Sequence, residues 1–458
     1  MDRMVSTNPA ENYAYIGEVP ISTPTEVSEK VAAARQAKSE WKALGVQGRS
    51  SLLEPICLEF GERAEEIAAL VSQEVGKPIE EARGEAYGYA DQLRSFLAQG
   101  DIALEDSQTS LEQDSFYHRK VYEPRGATAV ITPWNFPFGM AMWGIIPNLV
   151  AGNTVVFKTS EECPLTGKLI EDVFTRHKLP TGVFSEVYGD GEVGEQLVRD
   201  NVDFIWFTGS NRAGQAINKI AAERFIQPVL EMGGSNPCVV FEDADLASTA
   251  DRVLQSRFQN NGQVCDAIKR LIVHESVSAD LLEVMSSGLE GMRIGHPSDP
   301  GTRLSSLVAE RQVSLLKGQV EDAVVSGARV LASAKVPANA QGAYHPALIL
   351  DNVTPDMRVW REEVFGPVLP VVGFKTEAEA VRLANDTVYG LGALVVSTDI
   401  DRAERVAGQI ESGTVDINQG DHWQNDWNPF GGYKQSGVGR EHGIDGMQAL
   451  CQIKVVTH

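Results

Sequence analysis

From Ala127 onward the chain alternates short apolar runs with amphipathic stretches, and that rhythm predicts repeated strand–helix–strand units. ATAVIT, NTVVFK, FSEVY, DFIWFTGS and PVLEMG read as buried strands separated by helical patterns, which together build a parallel sheet. Before them the pattern is helical. Thr23-Pro24-Thr25-Glu26 has the form of a helix start, with Thr as cap, Pro at the first helical position and Glu reaching back to the cap. A helix to about Leu44 should follow, a second over roughly residues 49–75 and a third over 80–97. A second alternation, CVVFE, RLIVHE, ARVLA, PALIL, LPVVGF, GALVVS and GTVDIN, supplies another α/β unit between Gly234 and about Gln435.

The expected fold class is therefore α/β, with three parts. Residues 1–106 and 126–233 form a Rossmann-like parallel-sheet domain for a dinucleotide, because the strand ends bearing Thr132 and Trp134, Lys158, and Gly209 with Ser210 fall along one edge. Residues 234–436 form a second α/β domain, with the candidate chemistry near the join. Residues 107–125 and 437–458 form a small β element. Its two strand-like pieces, 115–122 and 452–456, lie outside both sheets, and exposed edges of that kind commonly build oligomers; a homodimer or homotetramer is expected.

Composition narrows the partners. At 458 residues the chain exceeds the size at which one core stops growing, and 43% apolar with 22% charged residues is ordinary for a globular protein. A formal charge of −23 argues against nucleic acid and against anionic membrane surfaces. The five cysteines, Cys57, Cys163, Cys238, Cys265 and Cys451, form no CxxC pair and no His/Cys cluster, so neither a metal site nor a disulfide framework is indicated. A reducing, cytoplasmic compartment fits. The N-terminus lacks the apolar stretch of a secretory signal, and the most apolar segment, 136–151, is interrupted by Pro137, Gly139, Gly144 and Pro147, so no membrane span is expected.

Three segments carry candidate chemistry. In FQNNGQVC, residues 258–265, Gly262 permits close backbone approach and polar Asn and Gln crowd a stretch that a structural core would fill with apolar residues. That setting turns Cys265 from a small buried hydrophobe into a candidate nucleophile. LEMGG places Glu231 beside two glycines at a strand end, where a partly desolvated carboxylate can serve as general base; the plainer reading is a solvated loop acid. In PWNFP, Asn135 between two prolines can donate to an oxyanion, against the alternative of a turn with aromatic packing.

Through PWNFP, KTSEECPLTG, FTGSNRAG, LEMGGSNP, FQNNGQVC, EEVFGPV and PFGGYKQSGVGRE, in that order and approximate spacing, the chain resembles the NAD(P)-dependent, non-acylating aldehyde dehydrogenase superfamily over residues 8–456. The resemblance implies oxidation of an aldehyde to its carboxylic acid. Cys265 would form a hemithioacetal and then a thioester, Glu231 would activate the hydrolytic water, and Asn135 with the Cys265 backbone N–H would hold the oxyanion. Members that acylate coenzyme A tend to lack the carboxylate at the Glu231 position, so a free acid is the expected product. The resemblance puts Lys158 and Glu161 on the adenosine ribose, Gly209, Ser210 and Gly214 at a pyrophosphate loop on a helix N-terminus, and Glu363 with Phe365 on the nicotinamide side. A carboxylate at Glu161 accepts from both ribose hydroxyls and repels a 2′-phosphate, so NAD is preferred, although members with such a Glu sometimes use NADP as well.

The chain departs from that pattern in three places. Gly144 stands where many relatives carry Lys or Arg, Asp266 follows the nucleophile where a small or neutral residue is usual, and residues 418–430 add Asp421, His422, Trp423, Asp426 and Trp427. With Phe258, Asp266, Trp423 and Phe430 as substrate-pocket residues, the aldehyde tunnel reads as acidic and aromatic. That favours an aminoaldehyde or an apolar or aromatic aldehyde over a semialdehyde of the succinic type, unless Arg257 or Arg270 pairs with Asp266. Other readings are a coenzyme A-acylating enzyme, a catalytically silent scaffold of the same fold, and thiol esterase side activity.

Overall fold

The alternation after Ala127 becomes a six-stranded sheet in a computed structural model that describes residues 2–111 and 115–458; residues 112–114 of the expected peripheral β element lie outside the described residues. Its strand order is Gly437–Val438, Pro228–Glu231, Phe204–Thr208, Ala127–Ile131, Thr154–Lys158 and Phe184–Glu186, and only the first runs antiparallel. These strands are apolar on both faces because successive side chains point to opposite sides and helices cover each side. Val130, Phe204 and Trp206 pack into a core with the helices Gly45–Glu62, Ile79–Ala103 and Pro137–Ala151. Ala129, Ile131, Ile205 and Phe207 face the opposite core, with Pro24–Ala43, Gly191–Arg199 and Asn211–Glu223.

The second alternation forms a seven-stranded sheet ordered Arg329–Ala334, Ala347–Asp351, Val368–Phe374, Ile268–His274, Asn236–Val240, Leu394–Val396 and Asp416–Ile417, again parallel except at its first strand. A small antiparallel sheet, Cys451–Thr457, His118–Pro124 and Ser107–Gln108, stands apart from both. Its outermost strand, Cys451–Thr457, exposes Ile453 and Val455. The fold is α/β. Among the described residues no helix is long and apolar enough to cross a membrane.

The N-terminal third differs in detail from its expected pattern. The helix Pro24–Ala43 is capped as anticipated, the Thr23 hydroxyl accepting from the Glu26 N–H at 3.2 Å. The single helix expected over 49–75 is two, Gly45–Glu62 and Ala64–Val75, separated where Arg63 leaves helical geometry (φ −97°, ψ 10°). The third helix is longer than expected, Ile79–Ala103, and a hairpin of Arg3–Asn8 with Ala14–Pro20 precedes all of them.

Candidate active site

At the join between the two large sheets, the C-terminal ends of the first sheet's parallel strands face the N-terminal ends of the second sheet's central strands. Glu231 ends the last parallel strand of the first sheet; Asn236 begins a central strand of the second, and Cys265 precedes its neighbour Ile268–His274. Cys265 follows the helix Leu246–Phe258 through a turn in which Asn260 (φ 46°), Asn261 (φ 57°) and Gly262 (φ 77°) are all left-handed. A Cβ at Gly262 would lie 2.4 Å from the backbone of Gly366. The polar residues of this turn build the site rather than line it. Asn261 Nδ2 donates to the Ser306 carbonyl at 2.8 Å, Gln263 Oε1 accepts from Val308 N–H at 3.0 Å, and Asn260 Nδ2 donates to the Asn135 carbonyl at 2.8 Å.

Asn135 Nδ2 in turn donates to the Gln263 carbonyl at 3.1 Å, leaving its second amide hydrogen for another acceptor. The helix Pro137–Ala151 that follows is anchored at its start by buried Glu85, which accepts from Phe138 N–H and Gly139 N–H, each at 3.0 Å. Glu85 is ion-paired with buried Lys77, whose ammonium sits 3.7 Å from the Phe136 ring centroid.

Cys265 is half-buried at a cleft of about 360 Å³, shared with Trp134, Asn135, Gly209, Ser210, Gly233, Glu363 and Phe365. Burial pushes its thiol well above the ordinary cysteine value; the charge of Asp266 adds to this, Lys269 opposes it, and Glu231 and Glu363 add again. Glu231 is buried, with one carboxylate oxygen free of any partner. Desolvation first, and the neighbouring Glu441 carboxyl second, hold it well above the usual carboxylate range. Burial likewise pushes Glu441 up to about 8. Glu441 was not singled out in the sequence, although it ends the PFGGYKQSGVGRE motif. Lys269 was also missed. Fully buried, it bridges the Cys265 carbonyl (2.7 Å), the Gly234 carbonyl (2.8 Å) and the Glu363 carboxylate (2.6 Å).

The other half of the cleft fits a dinucleotide. Thr208 lines the cleft at a strand end with its hydroxyl beside the Glu441 carboxyl, and the buried Thr132 hydroxyl at the adjacent strand end has no partner among the described residues. Ser210 caps the helix Asn211–Glu223, accepting from Ala213 N–H at 3.3 Å, so the unpaired first N–H groups of that helix face the cleft beside Arg212. Trp134 and Phe365 meet edge to face at 5.5 Å on one wall, with Glu363 beside them. Lys158 is buried and donates to the Thr159 carbonyl at 2.9 Å, while Glu161 is exposed. Gly214 serves packing, since a Cβ there would fall 2.2 Å from Met232 Sδ.

On the tunnel side, Asp266 takes its hydrogen bond from Trp423 Nε1 at 2.9 Å. Arg257 and Arg270 are spent on backbone carbonyls, those of Val364 and Gly262, and of Ser235, Leu383 and Ala384. Trp423 stacks on Trp143 at 5.3 Å, and Phe430, Tyr89 and His442 complete an aromatic cluster around that pair. One expectation is corrected. Phe258 is not a pocket residue: it is fully buried in the core of the second sheet, on the helix face turned to Leu271 and Val273. Gly144 is packed against the first sheet, where a Cβ would meet Val130 and Trp206 at 2.5 and 2.7 Å. Asp416, Asp421 and His422 bring ligand-type atoms within 4.8 Å of one another, but Arg252 also holds Asp416 at 3.2 Å, and the group reads as an ion-pair network.

The comparisons agree with this geometry. The model of the aldehyde dehydrogenase family matches residues 2–456. The peroxisomal aminoaldehyde dehydrogenase 1 of Pisum sativum is 38% identical over 470 residues, covering 99% of this chain and 92% of that protein. The peroxisomal aminoaldehyde dehydrogenase 1 of Malus domestica shows the same identity and coverages. Among solved structures, an NAD-dependent aldehyde dehydrogenase from Sinorhizobium meliloti superposes with a TM-score of 0.96 at 34% identity, covering 100% of this chain and 91% of that one. Betaine aldehyde dehydrogenase from Staphylococcus aureus, in complex with NAD+, gives 0.94 at 31% with the same coverages.

Proposed function

Because the chain belongs to the aldehyde dehydrogenase family, we propose that it oxidises an aminoaldehyde to the corresponding amino acid, with NAD+ preferred over NADP+. The observation that carries the substrate class is Asp266: a carboxylate directly beyond the nucleophile, answered by an indole N–H and by neither neighbouring arginine. An ammonium tail is attracted by that charge and a carboxylate tail is repelled. Relatives named as aminoaldehyde dehydrogenases support the same reading.

In this reading Cys265 passes its proton to water in the open cleft and its Sγ attacks the aldehyde carbon as a thiolate. The free amide hydrogen of Asn135 and the Cys265 backbone N–H hold the oxyanion. NAD+, when bound, accepts the hydride that leaves the hemithioacetal carbon. Lys158, Ser210 and Glu363 would hold it. Glu231 then takes a proton from the water that hydrolyses the thioester, with Glu441 beside it setting how readily it does so. The presence of Glu231 favours the free acid over acyl transfer to coenzyme A. Five free cysteines suit a reducing compartment such as the cytosol, and the exposed strand Cys451–Thr457 is the surface through which a homodimer or homotetramer would form.

The test is NADH formation across aldehydes that differ in tail charge and size, repeated with Cys265→Ala. Aminoaldehydes should lead and the variant should be silent. Succinic semialdehyde outperforming aminobutyraldehyde would remove the substrate assignment.

A further inference from the structure

His422 occupies a position the family resemblance does not account for. It opens the 3-10 turn His422–Gln424, capped by Asp421, whose Oδ1 accepts from Trp423 N–H at 3.1 Å. Its backbone N–H donates to Asp416 Oδ1 at 3.2 Å, and its Nδ1 lies 3.1 Å from Asp416 Oδ2. Those two contacts fix the ring and place a hydrogen on Nδ1. Nε2 is then turned toward Asp266: it is buried from solvent, has no hydrogen-bond partner among the described residues, and lies 3.8 Å from Asp266 Oδ2. That oxygen is the one Trp423 Nε1 already donates to, and Asp266 is the residue after the nucleophile. A neutral imidazole in this pose turns a lone pair toward a carboxylate, which is unfavourable until Nε2 takes a proton or a cation comes up to the carboxylate. Beside the pair opens a cavity of about 550 Å³, bordered by Val264, Asp266, His422 and Trp423, large enough for a substrate tail.

We propose that His422 selects substrates by charge: its proton and a cationic aldehyde tail compete for the Asp266 carboxylate. The inference rests on the dehydrogenase reading of Cys265 and names the element that tunes it. The charged groups around the ring come from four elements. Asp421 belongs to its own turn, Asp416 to the strand Asp416–Ile417, Asp266 to the nucleophile segment, and Asp251 and Arg252 to the helix Leu246–Phe258. Arg252 is already held by Asp416. Across Trp423 stand Asp426 and His442, and burial keeps His442 neutral, its pKa lowered to about 3. Burial opposes a charged His422, but the Asp416 hydrogen bond and the Asp266, Asp416 and Asp421 charges outweigh it and hold the ring above the ordinary histidine value. Below that pKa the imidazolium balances Asp266 and the tunnel has no surplus charge for a cation. Above it Asp266 is uncompensated and a cationic tail gains.

The experiment compares kcat/KM of the full-length enzyme for 4-trimethylammoniobutanal with that for its uncharged isostere, 5,5-dimethylhexanal, from about pH 6 to 9. The tail charge is permanent, so it does not titrate. Taking the ratio of the two values cancels the ionisations of Cys265, Glu231 and Glu441, which act on both substrates. In the wild-type enzyme the ratio should climb by up to about tenfold per pH unit and then level off once His422 is neutral. In His422→Gln, whose amide can keep the Asp416 hydrogen bond, the ratio should not depend on pH. In Asp266→Asn it should be low at every pH. A flat ratio in the wild type, or the same climb in His422→Gln, would overturn the inference while leaving the dehydrogenase reading intact. Turnover of neither aldehyde by the wild type would overturn both.

Discussion

Replacing Glu441 with Gln should move the acid limb of the pH–rate profile to lower pH. The two buried acids are close: Thr208, which lies beside Glu441, is the register partner of Glu231 on the adjacent parallel strand. Neighbouring strands are about 5 Å apart. Two unit charges roughly 5–8 Å apart at an effective dielectric of about 20 repel by about 2–3 kcal/mol, which is about 1.5–2 pKa units. The sign is fixed by the like charge: Glu441 disfavours the ionised form of Glu231, so its removal makes Glu231 a carboxylate at lower pH. Burial still holds Glu231 up, which caps the gain. In the wild type, with Glu231 and the Cys265 thiol both pushed up by burial, activity should fall steadily as the pH drops from the alkaline side toward neutrality. The assay is kcat against pH under saturating aldehyde and NAD+, with a rapid-mixing experiment to separate acyl-enzyme formation from its hydrolysis. The limb in Glu441→Gln should shift downward by about one unit or more in the hydrolytic step. A limb that stays where it was, or moves upward, would show that the Glu441 charge is not felt at Glu231.

Three further outcomes follow from the same geometry. Asn135→Ala should lower kcat by about 10²–10³ with KM little changed, as measured by steady-state kinetics, because the donor acts on the oxyanion rather than on the bound aldehyde. Lys269→Met should move the pH profile of Cys265 alkylation by iodoacetamide to higher pH, since Lys269 opposes the rise of the thiol pKa; it should also weaken NAD+ binding, because Glu363 loses an ion pair at 2.6 Å. The wild-type enzyme should show higher kcat/KM with NAD+ than with NADP+, and Glu161→Ser should narrow that ratio by about tenfold or more, consistent with the removal of one unit charge facing a 2′-phosphate; a higher value with NADP+ in the wild type would refute the role given to Glu161.

The twelve strand-like runs from ATAVIT to GTVDIN all form strands, eleven of them parallel, because parallel strands between helical layers read as apolar runs; the exception, ARVLA, is the half-exposed antiparallel edge strand Arg329–Ala334. The N-terminal hairpin escaped that logic: RMVSTN and AYIGEVP are short, half-exposed and mixed in polarity. The break at Arg63 carries neither Gly nor Pro, and its geometry goes with contacts to Glu59 and Glu66 that a helical pattern does not reveal. At the site, Cys265, Glu231 and Asn135 could be singled out because polar residues and glycines stood where a core would be apolar, and the structure brings Cys265 and Asn135 to one cleft with Glu231 buried. Phe258 was misplaced for a related reason. An aromatic residue beside the nucleophile turn reads as a pocket wall, and only the tertiary arrangement decides which face of the helix end it occupies. The bond between Asp266 and Trp423 spans 157 residues and leaves no local trace.

These two kinds of legibility correspond to two kinds of construction. The chemical centre is fixed by buried hydrogen bonds: Asn260, Asn261 and Gln263 tie the nucleophile turn to backbone groups from Asn135, Ser306 and Val308, and Lys269 clamps both sides of the cleft through carbonyls and Glu363. Moving any of these side chains leaves a buried polar group unpaired, a cost of about 1–3 kcal/mol each, so the reacting atoms have little freedom. The tunnel segment 418–430 is held differently, by one short turn, an exposed indole on Asp266 and stacked aromatic rings. Main-chain bonds anchor its ends, Asn418 N–H donating to the Val395 carbonyl at 2.9 Å and Phe430 exchanging two bonds of 2.7 Å with Glu441, while between them Asp421, His422 and Trp423 make mostly side-chain contacts at a half-exposed rim. In the proposed reading, the charge of the tail is set by Asp266, His422 and Trp423, while the chemistry of the thioester is set by Cys265, Glu231 and Asn135, which other residues hold in place. Selectivity and chemistry meet at a single peptide bond, the one between Cys265 and Asp266. That is where a change made for substrate choice is felt by the thiol, because the Asp266 charge is the largest electrostatic influence on its ionisation.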